Sequence, residues 1–233
     1  MEIDASIREN IARVEEGITA ACRRSGRERA DVKLVAVSKT HPPEAVRAAF
    51  AAGLRHFGEN RVQKAQAKIA ALADLGATWH LVGHLQTNKA RPALELFQWV
   101  HSVDSIRLAE KLAQATRPGS NPLPVLIEVN LGEEASKAGA RASEVPELAA
   151  KIGVLPALSL RGLMVIPPYL ANPEEVRPFF RQLRALAHEI EARHLPSVSM
   201  QELSMGMSHD FEVAIEEGAT IVRVGTAIFG ERR

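Results

Sequence analysis

Apolar residues recur at helical spacing from Ile3 to Arg24, through Ile7, Ile11, Val14 and Ile18, and the pattern stops near Ser25-Gly26. This predicts one amphipathic helix ahead of the rest of the chain. From Val32 onward the pattern changes to short β-branched or apolar runs separated by longer stretches of helical periodicity, the form that successive βα units of a parallel sheet take in a sequence. Eight such runs are present: Val32–Ser38, Leu54–Gly58, Thr78–Val82, Gln98–Ser102, Val125–Asn130, Ser159–Val165, Glu202–Ser204 and Ile221–Gly225. Helical patterns between them include Pro43–Ala52, Asn60–Leu75, Ile106–Ala115 and Glu174–Arg193.

Eight repeats favour closure, so the fold class read from the pattern is α/β, a (β/α)8 TIM barrel with an additional N-terminal helix. An open doubly wound sheet is the competing arrangement, but no Gly-x-Gly-x-x-Gly turn follows the first strand to hold a dinucleotide. No Pro-, Gly- or Ser-rich linker divides the chain, and Arg117-Pro-Gly-Ser-Asn-Pro122 suits an ordinary αβ connection. A single domain over residues 1–233 is therefore expected, with the helix at about 3–24 and the barrel at about 32–230.

A length of 233 residues with 46% hydrophobic content agrees with one well-filled barrel core. Lys plus Arg number 29 against 28 for Asp plus Glu, so no whole-molecule field draws in nucleic acid or an acidic membrane, and a small discrete ligand is the expected partner. The lone Cys22 can form neither an internal disulfide nor a thiolate metal cage, which makes a reducing cytoplasm the expected location. The N-terminal stretch is charged and helical rather than basic and then apolar, and no apolar stretch reaches membrane-spanning length.

In such barrels the reactive groups stand at the C-terminal ends of the strands. Here those ends are unusually polar. They read Ser38-Lys39-Thr40, Gly58-Glu59-Asn60, Val82-Gly83-His84, Ser102-Val103-Asp104, Val129-Asn130-Leu131, Met164-Val165-Ile166, Ser204-Met205-Gly206 and Gly225-Thr226. Lys39 follows Leu34-Val-Ala-Val37, and two-residue alternation puts it on the face of Val35 and Val37. If that face looks into the barrel, burial lowers the ammonium's pKa toward the neutral amine that attacks an aldehyde; otherwise Lys39 is a strand-end lysine turned to solvent.

Leu203-Ser-Met-Gly-Met-Ser208 precedes a helical stretch from about Asp210 to Glu217, and Arg223-Val-Gly-Thr226 ends the eighth run. Loops after strands seven and eight commonly bind phosphate, so the two segments coincide at an anion-binding place; the structural alternative is that Ser208 caps the helix and Gly206 makes the turn. Arg223 shares a strand face with Ile221 and Gly225. A guanidinium only donates, so a pyridine nitrogen facing it would be the unprotonated acceptor and the ring a weaker electron sink; pairing with a barrel carboxylate is the other reading. His80 and His84 are four apart, but Gly83 interrupts the strand and no third ligand accompanies them, which favours hydrogen-bonding or ring-lining histidines over a metal site. Asn60 and Asn130 can donate to a phenolate-like oxygen or cap the next helices, and Lys137 reads as a solvated lysine on the loop after strand five.

Ala36-Val-Ser-Lys39, Phe57-Gly-Glu-Asn60, Trp79-His-Leu-Val-Gly-His-Leu-Gln86, Arg161-Gly-Leu-Met164, Leu203-Ser-Met-Gly-Met-Ser208 and Val222-Arg-Val-Gly-Thr-Ala-Ile-Phe-Gly230 together resemble the YggS/PROSC-type pyridoxal phosphate homeostasis proteins, in matching order over almost the whole chain. The resemblance implies a barrel like the N-terminal domain of alanine racemase (fold type III of the pyridoxal phosphate proteins), with pyridoxal 5′-phosphate (PLP) as a Schiff base on Lys39 and Arg223 facing the pyridine nitrogen. It implies phosphate contacts from Ser204, Gly206, Ser208, Gly225 and Thr226, with Asn60, His80 and Met164 completing the cofactor-binding set. It also implies a monomeric carrier of the cofactor without catalytic turnover, with apo-enzymes as recipients. Two alternatives stay open. An amino-acid racemase or decarboxylase needs a second acid or base across the ring, and the only tyrosine, Tyr169, lies on the loop after strand six. A Schiff-base aldolase would use Lys39 without any cofactor.

Overall fold

The computed structural model describes residues 2–132 and 138–231. Eight strands form a closed, wholly parallel barrel: β1 (Lys33–Val37), β2 (His56–Glu59), β3 (Thr78–Leu81), β4 (Trp99–Val103), β5 (Leu123–Asn130), β6 (Leu158–Met164), β7 (Val198–Ser204) and β8 (Ile221–Val224). Each pairs with the next in sequence, and β8 closes on β1 with Lys33 opposite Ile221 and Val35 opposite Arg223. A two-residue strand, Ala140–Arg141, pairs with the end of β5 outside this ring. The helices are α1 (Glu2–Arg24), α2 (Pro43–Ala51), α3 (Val62–Ala71), α4 (Ala90–Leu96), α5 (Ile106–Ala115), α6 (Val145–Gly153), α7 (Arg177–Glu191), α8 (Phe211–Glu216) and α9 (Thr226–Phe229). No helix among the described residues is long and apolar enough to cross a membrane.

The eight runs read from the sequence are the eight strands, with displaced ends. The seventh begins at Val198 rather than Glu202, because Val198-Ser-Met-Gln-Glu-Leu-Ser alternates instead of forming an apolar run. The predicted helix from Asn60 to Leu75 is shorter. It runs from Val62 to Ala71, is followed by a 3-10 turn at Ala73–Leu75, and stops where Gly76 takes φ +62°, a left-handed conformation that glycine adopts without strain.

α1 buries Ile7, Ile11, Val14, Ile18, Ala21 and Cys22 on one stripe, the spacing that made it legible. That stripe packs on α2, α8 and α9, so the helix lies over the seam where the last strand meets the first. Arg24 fastens its end to α8 through Glu212 at 2.8 Å and Glu216 at 2.6 Å, and Arg27 donates to the Ile215 and Ala219 carbonyls.

The main apolar core lies between the helices and the outer surface of the barrel. Inside lies a small apolar cluster of Val35, Leu126, Met164 and Ile221, with Trp99 against it, and Val35, Val37 and Val82 converge on Gly58. The remaining interior is polar: Lys33 pairs with Glu202 at 3.2 Å, and His80, His101, Ser204 and Arg223 are buried. Barrels usually fill this space with branched aliphatic layers.

Candidate functional site

Lys39 stands just beyond β1. The strand ends at Val37, and residues 38–41 form a turn closed by His41 N–H donating to the Ser38 carbonyl at 3.0 Å, with Thr40 at φ +70°. A turn rather than a continued strand thus carries the half-buried lysine, and a β-branched residue in the left-handed region marks local strain beside it. Behind the turn lies a buried group that the sequence did not reveal. Lys68 of α3 reaches Glu59 at 2.6 Å and donates to the Ser38 carbonyl at 2.7 Å, while the Ser38 hydroxyl donates to Glu59 at 2.8 Å. These three side chains fix the backbone from which Lys39 projects.

Beside that turn, at the end of the strand that pairs with β1, the loops after β7 and β8 are joined by Ser208. Its hydroxyl oxygen accepts from the Gly225 N–H at 3.1 Å and the Ala227 N–H at 3.2 Å, so it occupies an amide cradle at the end of β8 instead of capping α8. Asp210, the residue before α8, turns its carboxylate back to accept from Met207 N–H at 2.6 Å and does not cap the helix either. Gly206 is required by geometry: at φ +92°, a Cβ there would lie 2.6 Å from Ala214 Cβ and 3.0 Å from Phe211 Cα. Its carbonyl accepts from the Arg223 N–H at 2.9 Å, tying the two loops again. Thr226 opens α9 with its side chain exposed.

Arg223 lies on β8 two residues before Gly225, opposite Val35 of β1, and is 4% exposed. Its guanidinium donates to Ser204 Oγ at 2.6 Å and to the Val165 carbonyl at 2.8 Å, and no carboxylate forms an ion pair with it among the described residues. Burial lowers its pKa to about 10, against the opposing fields of Glu128 and Asp210, so it remains a cation at neutral pH. Glu128, on β5, was missed in the sequence although it interrupts Leu126-Ile-Glu-Val129 on the face of Leu126 and Asn130. Burial, then Asp104, push its carboxyl up to about 7 while Arg223 opposes them, and its Oε2 has no hydrogen-bond partner.

Asn60 Oδ1 is also buried without a partner, and the loop after β3 presses on this residue so closely that a Cβ on Gly83 would lie 2.5 Å from the Asn60 carbonyl oxygen. Met164 is wholly buried in the inner apolar cluster. His80 is inside the barrel, with both ring nitrogens facing other histidines, whereas His84 is exposed and 3.4 Å from Asp104. Asn130 ends β5, half-buried. Tyr169 is 79% exposed on the loop after β6, its ring centroid 5.1 Å from that of His209. Lys137 lies outside the described residues.

Glu128 makes stability depend on pH with a definite sign. Its folded pKa of about 7 exceeds the ordinary 4.5, so its contribution is complete below about pH 4.5 and is lost as pH rises through about 7. Glu128→Gln should remove a fall on the order of 3 kcal/mol from the difference between acid and alkaline stability. Urea unfolding of both proteins at about pH 5 and about pH 8 checks this; a constant difference between them would refute it.

A strand-end lysine, a buried arginine and an amide cradle thus stand together on adjoining strands of a parallel barrel, a set of donors with the chemistry to hold a small anion. Residues 7–233 match the family of the alanine racemase N-terminal domain. The chain is 48% identical over 225 residues to the pyridoxal phosphate homeostasis protein of Aquifex aeolicus, covering 97% of this chain and 98% of that protein. The solved structure of PipY from Synechococcus elongatus with PLP bound superposes with a TM-score of 0.84 at 43% identity, covering 96% of this chain and all of that one. Alanine racemase from Corynebacterium glutamicum shares the fold, with a TM-score of 0.69 at 15% identity over 98% of this chain and 61% of that enzyme. The chain belongs to the pyridoxal phosphate homeostasis protein family.

Proposed function

We propose that this protein binds pyridoxal 5′-phosphate at the C-terminal mouth of the barrel, covalently through Lys39, and serves cytoplasmic vitamin B6 homeostasis as a monomeric carrier for apo-enzymes rather than as a catalyst. The observation that carries the reading is the cradle in which Ser208 gathers the Gly225 and Ala227 amides at the end of β8, the strand paired with the one that leads into Lys39. The donor set fits the group. Backbone N–H groups and hydroxyls at Ser208, Gly225 and Thr226 suit a phosphate, and the amide of Asn60, with its buried oxygen unpartnered, can reorganise toward a phenolic oxygen.

When bound, PLP supplies an aldehyde for the lysine and a pyridine ring that can withdraw electrons. This chain limits the second capacity. Arg223 has no proton acceptor to offer a ring nitrogen, and its charge disfavours protonation there, so the electron sink stays weak. Its hydrogen bonds to Ser204 and Val165 hold the guanidinium in place without a carboxylate to neutralise it. Holding a reactive aldehyde without passing it into turnover is the behaviour this arrangement suits.

The test is an absorbance spectrum of the purified protein before and after borohydride, with mass mapping of the modified peptide and an amino-acid racemisation assay. A yellow protein that bleaches, carries the reduced group on Lys39 and racemises nothing is the expected result. A colourless protein that added PLP does not change would favour the cofactor-free aldolase reading. Ser208→Ala should weaken retention of PLP by about 1.5–3 kcal/mol, the range for hydrogen bonds to a charged group, while leaving pyridoxal binding unchanged. Equal loss for both compounds, measured by equilibrium dialysis, would remove Ser208 from the phosphate site.

A further inference from the structure

The barrel interior holds a line of polar groups that cofactor binding alone does not explain. His56 Nδ1 lies 3.1 Å from His80 Nε2, His80 Nδ1 lies 2.9 Å from His101 Nε2, and His101 Nδ1 lies 2.9 Å from Ser204 Oγ. Arg223 donates to that same hydroxyl at 2.6 Å. One residue comes from each of β2, β3, β4, β7 and β8, and His80, His101 and Ser204 are wholly buried. At the far end His56 is half-buried and lines a cavity of about 470 Å³ at the N-terminal mouth, together with Lys33, Arg55 and Glu202.

The donor-only guanidinium gives this line a direction. Ser204 Oγ accepts from Arg223 and has one proton of its own, for which His101 Nδ1 is the acceptor at hand. His101 then carries its proton on Nε2 and donates to His80 Nδ1, and His80 in turn donates from Nε2 to His56 Nδ1. The opposite order would leave the Ser204 proton without this acceptor in a fully buried place.

We propose that His56, His80 and His101 are positioning residues forming a directional relay, which fixes how Ser204 meets Arg223 and reverses when His56 takes up a proton from the N-terminal cavity. A cationic His56 carries protons on both nitrogens and cannot accept from His80. Each ring behind it must exchange its donor and acceptor nitrogens, and Ser204 then accepts from His101 as well as from Arg223, its own proton turned away. One proton is added in all, and it stays on His56. Burial holds His80 and His101 well below the ordinary histidine value, and it lowers the half-buried His56 too, so His56, open to the cavity, is the ring placed to charge first. Lys33 of β1 opposes charging of all three rings and Arg223 of β8 opposes it at His101, while Glu202 of β7 favours it at His56. Glu128 of β5 acts on Arg223, and Trp99 of β4 stacks on His80 beneath the Lys33 ammonium. The effect on the cofactor rests on the PLP reading above; the relay itself does not.

The test uses cofactor-free protein with nitrogen-labelled histidine and reads each ring's tautomer from its nitrogen–proton couplings. The expected result is Nε2–H for His80 and His101 at about pH 8, changing to Nδ1–H as the pH is lowered and His56 charges. An Nδ1–H or doubly protonated His101 at the higher pH, or a His101 tautomer unchanged across the His56 titration, would overturn the proposal. His56→Phe should hold His101 as Nε2–H throughout. PLP added to the same samples provides a second readout, an absorbance maximum that moves with the His56 titration in the native protein and not in the variant. A maximum that moves equally in both would overturn the link to Arg223. No absorbance change at any pH would sink the cofactor reading instead, with the tautomers still deciding the relay.

Discussion

Lys68→Met should cost the protein about 3–5 kcal/mol of stability, the range for breaking a buried ion pair by removing one partner. The Lys68 side chain is 10% exposed and that of Glu59 3%, so the carboxylate left behind keeps only the Ser38 hydroxyl. Methionine preserves most of the apolar stem, which confines the loss to the charge and its hydrogen bonds. The Ser38 carbonyl also loses the Lys68 ammonium and keeps the His41 N–H, and the turn presenting Lys39 loosens, so covalent capture of PLP should slow in the folded variant. Denaturant unfolding reads the first effect and absorbance kinetics the second. Glu59→Gln added to Lys68→Met should recover much of the stability, because the stranded charge is then gone. A loss below about 1 kcal/mol for the single variant would mean that the pair is solvated and holds nothing.

A second large loss is expected at Gly162. This residue of β6 sits at φ +153° opposite Glu202, where the register between β6 and β7 shifts, and a Cβ there would lie 1.8 Å from the Glu202 carbonyl oxygen and 2.7 Å from its carbonyl carbon. Backbone cannot step aside as a flexible side chain can, so Gly162→Ala must part the two strands. We expect a cost of about 4 kcal/mol or more, in the class of severe strain at a special backbone position. Gly76→Ala serves as the control: its φ is +62° with nothing within 4 Å of the added carbon, so only the left-handed penalty of roughly 1–2 kcal/mol applies. Comparable losses at both positions, measured by urea unfolding, would show that β6 and β7 separate easily.

The fold was legible because a parallel barrel writes each strand as a compact apolar run and each helix as a stripe, and both are local patterns. The places of Lys39, Ser208 and Arg223 at or just beyond strand ends were legible for a related reason, since each follows or closes one of those runs. What escaped was whatever depends on register between strands. Lys68 reads as one more polar position among Gln63, Lys64 and Gln66 of α3, and only the docking of that helix on β2 brings it to Glu59. His80 invited comparison with His84, its neighbour in sequence, whereas its ring partners are His56 and His101 on the flanking strands. A signal did exist: one histidine in each of three successive strand runs. Reading it required inward parity to be followed around the barrel rather than along the chain. Ser204 shows the same limit, because a hydroxyl near a phosphate loop says nothing of the arginine and histidine that take it up.

The seam beneath α1 bears on the order of assembly. β1 is among the first strands to leave the ribosome, yet its second neighbour, β8, follows about 190 residues later, and until then one edge of β1 offers unpaired backbone groups to any passing strand. The helix that will lie over the finished seam can meet α2 early, but its contacts with α8 and α9 also come last. β1 is thus made long before its second edge is locked, and sealing the ring is the step at which a nascent chain is most exposed to pairing with another copy of itself.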